Sequence, residues 1–121
     1  MKQTEIKETY KDRLEGLLKR EDSEVLLKEY KFMYSRGWKF DYAFPQLKIA
    51  IEYDGIVYKP SQQRGGHQTP KGIINDQEKR NEAQVRGWIV LLANQTSIDN
   101  RTFIDQLERA IKVRRGDIRY E

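Results

Sequence analysis

Residues 38–55 read WKFDYAFPQLKIAIEYDG, and this stretch decides the fold. Trp38, Phe40, Tyr42 and Phe44 alternate with Lys39, Asp41 and Ala43. After Pro45-Gln46, Leu47, Ile49, Ile51 and Tyr53 alternate with Lys48, Ala50, Glu52 and Asp54. A period of two is the signature of a strand, because successive side chains point to opposite faces. Two strands, 38–44 and 47–54, therefore follow one another. The pattern puts Asp41 on the face opposite the four aromatics, and Glu52 and Asp54 together on one face of the next strand. Pairing these strands would gather three carboxylates, which repel one another unless a cation sits among them. Hard oxygen donors without thiolate select Mg²⁺ or Mn²⁺ over zinc or copper. The alternative is three acids on a solvated sheet face.

Outward from this pair, Glu29-Tyr30-Lys31-Phe32 alternates in the same way, so a strand is expected at 29–33, turning at Ser35-Arg36-Gly37. Val25-Leu26-Leu27 fits the end of a helix. Trp88 to Ala93 is an unbroken apolar run of strand length, which predicts a buried central strand. Ile6, Tyr10, Leu14, Leu17 and Leu18 recur at helical spacing, predicting a helix over 4–20. A second helix is expected from Gly72 to Arg86, stopped by Gly87. A third has the stripe Phe103, Ile104, Leu107, Ala110 and Ile111, with Asp99 or Asn100 as its cap. The charged tail 112–121 is expected to fray. The fold class that follows is α/β, with a mixed central sheet of about four strands flanked by helices. One domain spans 1–121: an N-terminal helical segment 1–22, a core 29–93 and a C-terminal helix within 99–115.

Between these elements, residues 55–72 read GIVYKPSQQRGGHQTPKG, a long loop rich in Gly, Pro, Ser and Gln. It holds Lys59, Arg64, Lys71 and His67, the one histidine of the chain. Gly65 and Gly66 would let backbone approach a phosphate closely. His67 is then a candidate acid, base or substrate contact, or a loop histidine without a role.

The 121 residues carry 23 Lys+Arg against 19 Asp+Glu, a net charge of +4 that permits an anionic partner without demanding one. With 37% apolar and 35% charged residues, most faces outside one modest core are solvated. Cysteine is absent, which excludes disulfides, thiol catalysis and thiolate metal sites. No apolar run approaches the roughly 20 residues that span a bilayer, and no signal-peptide pattern opens the chain. A soluble cytoplasmic protein is expected.

Taken in order, EYKF at 29–32, WKFDYAFP at 38–45, IAIEYDG at 49–55, GGH at 65–67, DQEKRN at 76–81 and GWIVLL at 87–92 resemble the PD-(D/E)xK nuclease superfamily. The likeness is nearest to its small phage and bacterial branch, related to very-short-patch-repair endonucleases and Holliday junction resolvases. The resemblance covers Glu29 to about Thr96. It implies a restriction-endonuclease-like core and a divalent-metal-dependent endodeoxyribonuclease, with Mg²⁺ or Mn²⁺ as cofactor. Asp41 matches the first metal-binding acid, and Glu52 the acid opening the second half of the motif. Two residues later the superfamily usually has Lys, and this chain has Asp54. Some branches place that Lys on the following helix, where Lys79 is the candidate. The implied catalytic set is Asp41, Glu52, Asp54, Lys79 and His67, with the first three on the metal. Arg36, Lys39, Lys59, Arg64 and Lys71 are candidate DNA phosphate contacts. DNA is the implied partner, a homodimer suits a two-fold branched substrate, and no small-molecule cofactor is implied. Asp54 in the place of Lys also admits an inactive DNA-binding or regulatory module with the same fold.

Overall fold

A computed structural model describes residues 9–55 and 69–118. Helix α1 (Tyr10–Lys19) leads to β1 (Leu27–Met33), a single 3₁₀ turn (Tyr34–Arg36), β2 (Trp38–Phe44) and β3 (Ile49–Tyr53). Then come α2 (Pro70–Val85), β4 (Ile89–Ala93), a short α3 (Gln95–Asp99) and α4 (Thr102–Arg114). The four strands form one sheet in the order β1-β2-β3-β4. β1–β2 and β2–β3 are antiparallel and β3–β4 is parallel, so the sheet is mixed as expected. Among the described residues no helix is long and apolar enough to cross a membrane.

Two cores sandwich the sheet. On one face Tyr42, Phe44, Ile49, Ile51 and Ala93 pack against Leu14 and Leu18 of α1, Ile98 of α3, and Phe103, Leu107 and Ile111 of α4. On the other, Phe40, Ala43, Ala50 and Trp88 pack under Ala83 of α2. Trp38 and Trp88 are both buried. Phe32, Phe40 and Trp88 form an aromatic chain, with centroids 4.4 Å and 5.3 Å apart.

This partition corrects the reading of β2. The four aromatics do not share a face: Trp38 and Phe40 lie toward α2, Tyr42 and Phe44 toward α1 and α4. Strand parity breaks at Asp41. The cause lies across the ladder, where the Lys28↔Tyr42 and Tyr30↔Phe40 pairs bracket Glu29 and Asp41. Glu29 has φ 51°, a left-handed backbone that a non-glycine residue adopts at a cost of order 1–3 kcal/mol. One residue out of the extended region rotates the alternation, so Lys28 reaches Glu15 of α1 while Tyr30 and Phe32 face α2. Alternation read from sequence assumes every residue is extended, and so misses such a break.

Other boundaries shift for identifiable reasons. Strand β1 starts at Leu27, not 29, because Leu27 pairs with Ala43. Helix α2 starts at Pro70, inside the stretch expected as loop, with Thr69 accepting from the Gly72 amide as its cap and Pro at the first position, where its missing N–H costs nothing. Strand β3 is Ile49–Tyr53 because Lys48, at φ 51°, belongs to the turn. Its ammonium donates to the Arg86 carbonyl at 2.9 Å, capping the end of α2. The apolar strand β4 is not central. It is an edge, with its two faces covered by helices and Leu92 39% exposed. Asn94 caps α3 by bonding the Ser97 amide, while Asn100 accepts from Thr102 at the start of α4. The expected fraying at 112 is displaced: α4 continues to Arg114, whose guanidinium donates to the Gly87 carbonyl, and Arg115 pairs with Glu24 at 2.9 Å. Residues 4–8 of the expected first helix lie outside the described residues.

Two outcomes test this packing. Glu29→Gly should be at least as stable as wild type within about 1 kcal/mol, since relief of the left-handed strain offsets the lost Lys39 pair. Glu29→Val should lose about 1–3 kcal/mol, because a β-branched residue resists that backbone. Urea midpoints of the pair decide it, and equal midpoints would remove the parity break.

The second outcome concerns pH. Lys28 and Lys19 hydrogen-bond Glu15 and hold its carboxyl at about 2, down from 4.5, with Tyr42 adding a further bond. A depressed carboxyl stabilises the fold above its unfolded value and loses that contribution as pH falls through the folded value. Solvent around the exposed lysines screens the effect, leaving about 1–2 kcal/mol. The stability advantage of wild type over Glu15→Gln should therefore be whole at neutral pH and shrink between about pH 4.5 and 2. A constant difference across that window would contradict it.

Candidate active site

The β2–β3 ladder runs through three pairs, Phe44↔Ile49, Ala43↔Ala50 and Tyr42↔Ile51, and then stops. Beyond it β3 stays with β4 alone, through Glu52↔Leu92 and Tyr53↔Ala93, and the Asp54 amide donates to the Ala93 carbonyl at 2.7 Å. The strands fork at the point where parity breaks. Asp41 splices the fork: its Oδ2 accepts the Tyr53 amide at 2.8 Å, a bond that a strand carbonyl would otherwise supply. Its Oδ1 faces the Lys11 ammonium of α1 at 3.8 Å.

From the other side of the sheet, Lys79 of α2 reaches into the same fork. Its Nζ donates to Glu52 Oε1 at 2.6 Å and to the Lys39 carbonyl at 3.1 Å, so one ammonium spans β3 and β2. It also lies 5.9 Å from the centre of the Phe40 ring. The pair is largely buried, with 13% of the Lys79 side chain and 18% of Glu52 exposed. Burial is the main cause that pushes the Glu52 carboxyl above its ordinary value. The bond and charge of Lys79 oppose this, and the negative charges of Asp41 and Asp76 add to it. Asp41, Asp76 and Lys79 therefore all lie within electrostatic reach of Glu52.

Of the residues singled out from sequence, Asp41, Glu52 and Lys79 come together. Asp54 lies just past β3, and its carboxylate forms no hydrogen bond or ion pair with another described residue. Among the described residues no group of three acidic or histidine side chains converges to hold a metal ion. Lys39 pairs with Glu29 at 2.8 Å, and Arg36 stacks over Trp38 at 4.0 Å while reaching Glu78 at 3.4 Å. Lys71 is exposed in the first turn of α2. His67, Lys59 and Arg64 lie outside the described residues. Sequence reading passed over Lys11 and Asp76 as site residues. Asp76 carried a signal, since it sits three residues before Lys79 on one helix. Lys11 carried none, because only the packing of α1 sets it beside Asp41.

No family model matches the chain, and no curated protein sequence matches it. Among solved structures, the catalytic domain of the homing endonuclease I-Bth0305I matches with a TM-score of 0.56 at 20% identity. The match covers 84% of this chain and 90% of that domain. At that identity the likeness is one of fold: the chain has an α/β architecture similar to that nuclease domain.

Proposed function

We propose that this chain is a DNA endonuclease that hydrolyses phosphodiesters with a divalent cation, Mg²⁺ or Mn²⁺. The observation that carries this reading is the fork. It sets Asp41 of β2 and Glu52 of β3 at the point where the two strands part, with the Lys79 ammonium bonded to Glu52, in a fold similar to a homing endonuclease catalytic domain. The donor set fits a hard cation. Mg²⁺ needs only one or two carboxylates, because it keeps several waters and takes substrate phosphate oxygens as well. Asp41 and Glu52 would hold it, with Asp54 two residues beyond Glu52 and Asp76 of α2 within reach of the Glu52 charge. A cation bound there neutralises phosphate charge and lowers the pKa of a coordinated water.

The chain's own residues do the rest. Asp41 fixes β3 through the Tyr53 amide, so its remaining oxygen has a set direction. Lys79 supplies the ammonium that position 54 lacks, from the helix, and supports an active enzyme over a binding-only module. It can face a phosphate oxygen as charge builds there. Exposed Lys71 is suited to contact the DNA backbone. The resemblance of the sequence motifs to Holliday junction resolvases extends the reading to DNA shape as the feature read, and branched DNA as the substrate class.

Cleavage of linear, flap and four-way-junction DNA with Mg²⁺, Mn²⁺ or EDTA tests the proposal. Cutting with metal and none with EDTA is expected, with the junction cut fastest. Binding without cutting under every condition would favour the inactive module. Asp41→Asn and Glu52→Gln should each abolish cleavage while DNA affinity stays within a few-fold of wild type, and full activity in either variant would move the site elsewhere.

Lys79→Ala should cost at least about 100-fold in rate, the scale of one lost electrostatic or proton-transfer group. It should also lower stability by about 1–3 kcal/mol, since Glu52 is left buried beside other acids. Lys79→Arg should recover little of the rate, because a planar guanidinium does not replace a compact ammonium in a narrow fork. Wild-type turnover in Lys79→Ala would make Lys79 purely structural.

A further inference from the structure

Asp41 and Glu52 are each matched by a lysine from a different helix on a different side of the sheet. Glu52 Oε1 holds Lys79 Nζ of α2 at 2.6 Å, and Asp41 Oδ1 faces Lys11 Nζ of α1 at 3.8 Å. The two carboxylates and two ammonium groups cancel. A divalent cation entering beside the acids would add two positive charges next to the two ammonium groups, of which the Asp76 charge offsets only part, in a site where Glu52 and Lys79 are largely shielded from water. Repulsion between the cation and the ammonium groups then has one economical outlet, which is movement of the lysines toward an anion.

We infer that Lys11 and Lys79 are the resident counter-ions of Asp41 and Glu52, and that both ammonium groups are released to DNA phosphates when a divalent cation takes their place. The inference rests on the metal-dependent reading above and adds a coupling to it: metal and DNA binding reinforce each other through these two side chains. The geometry suits the exchange. Lys79 keeps a second acceptor, the Lys39 carbonyl at 3.1 Å, so it can leave Glu52 without leaving the fork. Lys11 is 46% exposed and its contact with Asp41 is long, so it swings out at little cost.

The test uses Ca²⁺ on the full chain, so that binding is read without cleavage. Calorimetric titration of Ca²⁺ without DNA should show about 3- to 10-fold tighter binding in Lys11→Gln and in Lys79→Gln than in wild type, because a competing cation is gone. Lys11→Gln alters an exposed side chain, so this arm stands even if Lys79→Gln folds poorly. For a short duplex, the slope of log affinity against log salt should be steeper with Ca²⁺ than with EDTA by about 0.9 for each phosphate gained, about 1.8 in wild type. That difference should halve in Lys11→Gln and vanish in the double variant. Equal or weaker Ca²⁺ binding in both single variants, or equal salt slopes with and without Ca²⁺ in wild type, overturns the exchange. If Ca²⁺ binds wild type and Glu52→Gln abolishes that binding while the slopes stay equal, the exchange alone is wrong. If wild type binds no Ca²⁺ and cuts no DNA, the metal-dependent reading falls with it.

Discussion

The Lys79 ammonium closes a gap that the sheet itself leaves open. Past the Tyr42↔Ile51 pair, β2 and β3 no longer bond to one another, and sheet groups left unpaired in a half-buried place are costly. Lys79 satisfies the Lys39 carbonyl on one side and Glu52 on the other, while Asp41 takes the Tyr53 amide. A lysine and an aspartate thus replace ladder bonds. Removing either would leave a donor or acceptor without its partner, so the fork and the candidate site are one construction.

As a stabilising device the Glu52–Lys79 pair is a poor choice. Taking two charges out of water costs several kcal/mol, and the attraction between them often does no better than well-packed apolar side chains. The raised Glu52 carboxyl is the mark of that cost. The same position could have held apolar side chains, extending the Phe40, Ala50 and Trp88 cluster next to it. Charge retained where packing would serve at least as well marks the pair as a candidate functional site, and a second local cost, a non-glycine residue held left-handed at Glu29, lies two strands away from Glu52. The two costs sit at the same level of the sheet.

Much of this could be read from the chain. Local patterns located the elements: alternation marked β2 and β3 despite the break at Asp41, an unbroken apolar run marked β4, and helical spacing marked α1 and α4. The helix expected from Gly72 to Arg86 was legible as well, and in the structure Asp76, Lys79 and Ala83 lie three and four residues apart along it, with Ala83 fully buried against the sheet. What stayed hidden depends on single residues or on distant pairs. The parity break comes from one backbone angle at Glu29, for which Glu is not a signal residue. The edge position of β4 was masked because helices on both faces make an edge strand as apolar as a central one. Lys11 became visible only when α1 was laid against the sheet.

The parity break also decides where the acids point. With strict alternation, Phe40 would share the face of Tyr42 and Phe44, and the α2 side would lose the ring that stacks on Phe32 and Trp88. Without that ring, the surface over which Lys79 crosses to Glu52 would be missing. The irregular pair at Glu29 and Asp41 therefore acts twice. It supplies both faces of the sheet with aromatics from one strand, and it ends the β2–β3 ladder where Asp41 can turn its carboxylate to the neighbouring strand. A regular strand of the same sequence would turn all four aromatics to one core. It could not serve both and still leave β2 and β3 parted at Asp41.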